Sequence, residues 1–340
     1  MKTITIASPR FRGQRRLACA TLVAAAASLA MLGAAQAQTE LKLGHVGEPG
    51  SIFQKSADEY AKRVNAKLAG KVKVVVYGSS QLGGDKELIQ KLKLGTVDMA
   101  APSTVMTSEV DQFGLFDLPY IVKDRAHMAR IEKEVFWPSL APAAEKKGLK
   151  VLAVWENGQR HITNNKHPIK VPADLKGIKL RVPEGKWRVK MFQEYGANPS
   201  PMKFSELFTA LQTGVMDAQE NPFTQIYSAK LQEVQKYLSL SGHVYTPAYL
   251  VVGAKRYATL PADVRKVLED TARETQAFVY ETAVKDENEL LGKLKQAGMQ
   301  VNEVDKDAFI AASRPIYDEF SKDVPGAKAL IDKAVELGKK

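Results

Sequence analysis

Arg181, Asn221 and Arg160 are the side chains whose types and placement suit holding an anion. Arg181 ends a short apolar run inside Leu175-Lys-Gly-Ile-Lys-Leu-Arg-Val-Pro183, where a strand would open into a cleft. Asn221 closes Ala218-Gln-Glu-Asn221, just before Pro222. A guanidinium presents a planar fork of donors matched to two carboxylate oxygens, and an amide beside it adds one more donor. A structural salt bridge between Arg181 and a nearby acid fits the same chemistry equally well. Asp85, Ser103 and Glu48 fall on loops and can fix hydroxyl groups, while Phe204, Trp155 and Trp187 can form apolar walls or simply fill a core.

Catalytic sets are harder to assemble. Gly78-Ser-Ser-Gln-Leu82 departs from the nucleophile-elbow pattern because position 82 is not glycine. Neither a phosphate loop with Gly-Lys-Ser/Thr nor a Gly-x-Gly-x-x-Gly turn after a strand is present in the sequence. The five histidines, His45, His127, His161, His167 and His243, do not pair at metal-ligand spacing. Asp217 and Glu220 are close in sequence, but their spacing suits capping and hinge hydrogen bonds better than acid–base chemistry. The expectation is therefore a binding protein with no enzyme activity, no cofactor and no metal.

The elements that must position these groups follow from periodicity. Residues 40–46 read as a strand and 53–68 as a helix; 72–77 is a β-branched strand, 88–92 marks a helix stopped by Gly95, and 97–101 is a short strand. This alternation predicts an α/β lobe with a mostly parallel sheet, in which loops 45–51, 78–85 and 102–105 share the rim where ligands bind. Residues 113–120 read as an irregular packed segment and 124–143 as amphipathic helices. A strand from 149 continues to 164 as a crossing into a second lobe, and the run 238–252 returns. Within the second lobe, a strand at 197–202 precedes a helix with Ser205 as N-cap, closed by Gly214. Residues 261–298 are helical in pattern, as one long helix with a bend or two in succession, followed by a strand at 299–304 and two short helices around 307–320 and 326–337.

The first 37 residues carry an address. Lys2, Arg10, Arg12, Arg15 and Arg16 precede an uncharged stretch from Leu17 to Ala35, and Ala35-Gln-Ala37 supplies small residues for cleavage after Ala37. The only cysteine, Cys19, lies inside this segment, so the exported chain would have neither disulfide nor thiol chemistry. Of the formal charge of +11, five units belong to this segment. The remainder forms no basic block, which argues against nucleic acid and is consistent with attraction of a small anion. About 300 remaining residues favour two lobes over one core.

Four ordered motifs, Gly78-Ser-Ser-Gln-Leu-Gly83, Asn157-Gly-Gln-Arg160, Leu175–Pro183 and Ala210–Pro222, resemble the extracytoplasmic solute-binding proteins of TRAP transporters, the DctP type, including sialic-acid-binding members. The resemblance covers essentially the whole chain after residue 37. It implies a two-lobe α/β periplasmic-binding-protein fold with hinge strands and a long helix spanning both lobes. It implies lobe I as residues 38–158 with about 247–286, and lobe II as 159–246 with about 287–340. It also implies a periplasmic monomer that closes on an organic acid and delivers it to a TRAP permease. By resemblance, Arg181 pairs with the substrate carboxylate, Asn221 helps hold it, Arg160 is a second arginine, Phe204 a pocket aromatic and Asp85 a polar rim residue. Ser103 stands where sialic-acid binders carry a glutamate, which favours a dicarboxylate or a small hydroxy or keto acid over sialic acid or a uronate. A secreted hydrolase acting on an anionic substrate and a ligand sensor for a membrane receptor are the competing classes.

Overall fold

Alternating burial in Thr39–Gly44 (β1) and the β-branched run Val72–Tyr77 (β2) supply the first strands of the fold. The structure, a computed structural model, describes residues 1–3 and 38–339, so the export segment, its cleavage position and Cys19 lie outside the described residues. Between β1 and β2, Ile52–Lys67 (α1) starts on Ser51, whose Oγ accepts from the Gln54 amide at 3.3 Å, and buries Phe53, Ala57, Tyr60 and Val64 along one face. Asp85–Leu94 (α2) ends on Gly95 at φ +76°, followed by Met99–Ala100 (β3).

The expected irregular segment is present as 3-10 turns over Thr104–Ser108 and Asp111–Asp117. Arg125–Ile131 (α3) then runs through a π-helical stretch, Glu132–Leu140, into Ala141–Lys146 (α4). Pro138 lies within the π-helical stretch, where its missing N–H is better tolerated than in regular α-helix.

Two long strands organise the remainder. Leu149–Asn164 (β4) pairs antiparallel with Tyr237–Gly253 (β8) along nearly its full length. At about 3.3 Å per residue, β4 extends roughly 50 Å. Register shifts interrupt the ladder between Val151 and Ala153, Glu156 and Gly158, and Arg160 and Ile162. Gly158 sits in one of them at φ +123°, a backbone region that side chains with a Cβ rarely adopt.

Between the long strands come Lys179–Val182 (β5), Lys186–Glu194 (α5), Asn198–Pro201 (β6), Phe204–Gln212 (α6), Ala218–Asn221 (β7) and Phe223–Ser228 (α7). After β8 follow Ala254–Ala258 (α8), Ala262–Gln296 (α9), Gln300–Glu303 (β9), Lys306–Ala312 (α10), Arg314–Asp323 (α11) and Ala327–Leu337 (α12). The sheet order is β2-β1-β3-β8-β4-β7-β5-β6, with β9 also on β8. One end of the β4–β8 pair therefore joins the early strands, and the other end joins β7 and β9.

Several expectations need correction. In the first lobe β1 and β3 pair in parallel as expected, while the sheet as a whole is mixed, because β3 with β8, β4 with β8 and β4 with β7 pair antiparallel. Ser205 is not an N-cap: α6 begins one residue earlier, at Phe204, after the extended Lys203. Of the two alternatives for 261–298, the single helix is the one observed, with 35 residues from 262 to 296 and Gly292 inside it. At 1.5 Å per residue it is about 50 Å long. It packs on β4, where Trp155 Nε1 donates to the Ala272 carbonyl at 3.2 Å and Gln276 Nε2 to the Val154 carbonyl at 2.7 Å. The last part of the chain forms three helices rather than two. Ser313 ends α10, and Pro315, which has no N–H to donate, opens α11. The Ala334 and Leu337 carbonyls of α12 accept from His127 Nε2 and Arg130 Nε of α3 at 2.8 and 2.9 Å.

Candidate functional site

The three predicted rim loops meet. The His45 amide donates to the Tyr77 carbonyl at 3.0 Å, the Ser80 amide to the His45 carbonyl at 3.1 Å and the Ser79 amide to the Gly47 carbonyl at 3.0 Å, tying loop 45–51 to loop 78–85. Ser103 Oγ donates to the Pro247 carbonyl at 2.7 Å, which fixes loop 102–105 to β8. Facing these loops are the ends of β5 and β7 and the first turns of α6 and α7, and a cavity of about 360 Å³, including its mouth, lies between.

Arg181, Asn221, Arg160, Phe204, Asp85 and Ser103 all line this cavity. Glu48 does not: its carboxylate accepts from Ser79 Oγ at 2.8 Å, and it borders a neighbouring groove that shares Phe204. Trp155 and Trp187 are core residues rather than walls. Trp155 packs on Tyr60 and α9, and Trp187 stacks edge-on against Phe320 with ring centres 4.9 Å apart.

Arg181 forms no salt bridge among the described residues. Its Nε and Nη2 donate to the backbone carbonyl of Met202 at 2.9 and 2.6 Å, and its guanidinium carbon lies 5.9 Å from the centre of the Phe204 ring. The carbonyl on one side and the ring beside it fix the plane of the fork, while Nη1 is left for the cavity. Burial, reinforced by the charge of Arg160, pulls the Arg181 pKa down to about 10, so it remains a cation at neutral pH.

Arg160 is committed differently. Its Nε meets Glu220 Oε2 at 2.5 Å, and its Nη2 meets Glu220 Oε1 at 2.8 Å and the Glu220 carbonyl at 2.5 Å. Glu220 also accepts from Arg188 Nη1 at 2.8 Å, and Arg188 Nη2 reaches Asp117 at 2.7 Å. Two arginines and two carboxylates thus balance in a buried network, with His243 Nε2 3.1 Å from Glu220 Oε2. Burial pushes the Glu220 carboxyl up, but the charges of Arg160 and Arg188 overcome it and hold the group well below the usual carboxylate range. Arg160 lends its field to the cavity, but most of its donors serve Glu220.

Sequence reasoning missed this network and several further lining residues, among them Asn157 and Gln225. Asp117 falls in an irregular segment and Arg188 on a short helix, and nothing in their spacing links them to Glu220. Gln225, in the first turn of α7, donates to Asn157 Oδ1 at 3.1 Å, and Asn157 Nδ2 lies 3.4 Å from Ser103 Oγ. This chain runs from α7 through the middle of β4 to loop 102–105. The one available signal for it was the position of Gln225, three residues after Pro222 at a helix start.

Asp85 opens α2, and its Oδ1 is buried without a hydrogen-bond partner. Burial pushes its pKa up to about 7, opposed by Arg181 and assisted by Glu184 and Glu87. Thr104 Oγ1, on the same wall, is also buried and unpartnered. Asn221 Nδ2 donates to Gln219 Oε1 at 2.5 Å, which orients the amide at the end of β7. The arrangement offers one oriented guanidinium edge, an amide, apolar walls from Phe53 and Phe204, and unpaired polar groups opposite.

The profile described as bacterial extracellular solute-binding protein, family 7, matches residues 43–323. Over 284 residues the chain is 34% identical to the 2,3-diketo-L-gulonate-binding periplasmic protein YiaO of Escherichia coli K12, covering 83% of this chain and 86% of that protein. Two crystal structures of TRAP periplasmic solute-binding proteins are also similar. One, from Polaromonas sp. JS666 and bound to D-erythronate, has a TM-score of 0.84 and 34% identity, covering 87% of this chain and 98% of that one. The other, from Sulfurospirillum deleyianum with bound succinate, has a TM-score of 0.84 and 33% identity, covering 89% and 100%.

Proposed function

The chain belongs to bacterial extracellular solute-binding protein family 7, and on that premise we propose that it captures an organic acid in the periplasm and delivers it, unchanged, to a TRAP-type permease. Cleavage after Ala37 releases the mature protein. The acid's carboxylate meets the free edge of Arg181 and the amide of Asn221, and its remaining atoms lie against Asp85, Ser103 and Thr104. The observation that carries this reading is the anchoring of Arg181: its guanidinium is fixed by a backbone carbonyl rather than neutralised by an acid, so its charge is available to a ligand.

Two lobes meet on β4 and β8, with α9 bridging them: residues 38–158 with about 247–286, and 159–246 with about 287–340. Ligand held by Arg181 and Asn221 recruits the rim loops, and contacts made only in the closed state set the affinity. Bending within the long strands is supported by the register shifts around Gly158. A thermal-shift screen of organic acids tests the reading, because a ligand that binds only the folded state raises the melting temperature by mass action. A panel of mono- and dicarboxylates that leaves the melting temperature unchanged would overturn it.

A further inference from the structure

Resting on the reading that this cavity takes an organic acid, we propose that Asp85 makes the site selective for monoanions carrying a hydroxyl group and rejects a second carboxylate. Of the three charged side chains lining the cavity, Arg160 is matched by Glu220, and the adjoining Arg188 is matched by Glu220 and Asp117. Among the described residues Arg181 has no acid in hydrogen-bond contact, so the site offers one uncommitted positive charge. One carboxylate consumes it.

The far wall then decides what the remainder of the ligand can be. Ser103 Oγ already gives its proton to the Pro247 carbonyl, and Asn157 Nδ2 is directed at it. Besides Gln225 Oε1, two lining groups are buried and unpartnered among the described residues: Asp85 Oδ1 and Thr104 Oγ1. A hydroxyl satisfies both, since it can donate to the carboxylate and accept from the threonine. A carboxylate can accept only from Thr104 and would confront Asp85 with like charge, which suppresses binding by ~100-fold or more.

The protonation of Asp85 sets the pH range of this selectivity. The charged groups facing it are Arg181 from β5, Glu184 just beyond it, and Glu87 from its own helix; Glu87 is in turn paired with Lys203 from the segment before α6. Burial is the largest influence and places its titration near 7. Above that pH the carboxylate repels a second anion. Well below it the neutral carboxyl can donate to one, so dicarboxylates gain entry in acid.

The test is calorimetric titration of wild type, Asp85→Asn and Asp85→Ala with two sets of probes at pH 8 and pH 5.5. The sets are hydroxylated monocarboxylates (D-erythronate, D-galactonate, D-glycerate) and dicarboxylates (succinate, fumarate), and the tightest member of each is compared. At pH 8 the wild type is expected to favour the monocarboxylate by ~100-fold or more, narrowing at least ~10-fold at pH 5.5. Asp85→Asn should show the narrowed ratio at both pH values, and Asp85→Ala should do so with weaker monocarboxylate binding. A wild type that binds a dicarboxylate as tightly at pH 8, or an Asp85→Asn variant with an unchanged ratio, overturns this inference and leaves the organic-acid reading intact. Silence toward both sets overturns the organic-acid reading, and this inference with it.

Discussion

Arg160 and Glu220 are locked in a two-pronged ion pair, Nε to Oε2 at 2.5 Å and Nη2 to Oε1 at 2.8 Å, with both side chains removed from solvent. The same carboxylate serves Arg188. Removing its charge strands two buried guanidiniums with Asp117 as the one remaining acid of the network. Glu220→Gln is therefore expected to destabilise the fold by about 3–5 kcal/mol, the usual cost of breaking one side of a buried pair. Urea unfolding at pH 7 checks it, and a loss below ~1 kcal/mol would mean the pair contributes little.

Arg181→Ala should abolish most ligand affinity. Truncating one partner of a desolvated charge pair costs about 2–5 kcal/mol, or roughly 30- to 4,000-fold. Arg181→Lys should also bind more weakly, because an ammonium cannot hold the Met202 carbonyl and a carboxylate in one plane. Calorimetry with whichever acid the wild type binds decides this, and near-normal affinity in Arg181→Ala would remove the residue from the site.

Stability should fall in mild acid because of buried histidines. Burial pulls His45 down to about 4, with Asp58 opposing, and His161 down to about 3. Both remain neutral in the fold while the unfolded chain takes up protons near 6.5. Their contribution is thus fully present above about 6.5 and is lost as the pH falls from there toward 4. His45 stacks on Phe53 with ring centres 6.4 Å apart, so His45→Phe preserves the shape. Urea midpoints at pH 7 and pH 5 should differ less in that variant than in the wild type; an equal difference would assign the acid sensitivity elsewhere.

Lys203 and Glu87 join the segment before α6 to α2, close in sequence to the cavity-lining Phe204 and Asp85, each side chain about 40% exposed. Such a pair is worth less than about 1 kcal/mol. Lys203→Ala is expected to speed ligand dissociation by up to ~5-fold at low salt, with the difference vanishing at 1 M salt as screening removes the pair. Stopped-flow release measures it, and identical low-salt rates would show that the bridge does not hold the closed form.

Much of this organisation was legible locally. Strand β2 was read at its observed bounds, because β-branched Val72, Val74, Val75 and Val76 are consecutive in type and bounded by turn residues. The crossing strands were visible as long β-rich runs at 149–164 and 238–252. Boundaries failed where signals conflict: Ser205 looks like a cap, yet Phe204 already turns into the helix beside Arg181. Six of the seven proposed site residues line one cavity, five of them at or beside element ends and Arg160 within β4 at a register shift, whereas Glu48 meets Ser79 instead.

The sequence by itself determined which groups were available: one arginine at a strand end, an amide before a proline, and polar residues on three rim loops. Motif order and spacing carry that information, because strand ends and loops are local properties. Which charges are free is not local. Arg160 and Arg181 look equivalent as isolated residues, and only the folded chain brings Glu220, Arg188 and Asp117 around the first while leaving a backbone carbonyl for the second. Long-range packing decides this, since the energy of a buried charge depends on every group within a few ångströms, however distant in sequence.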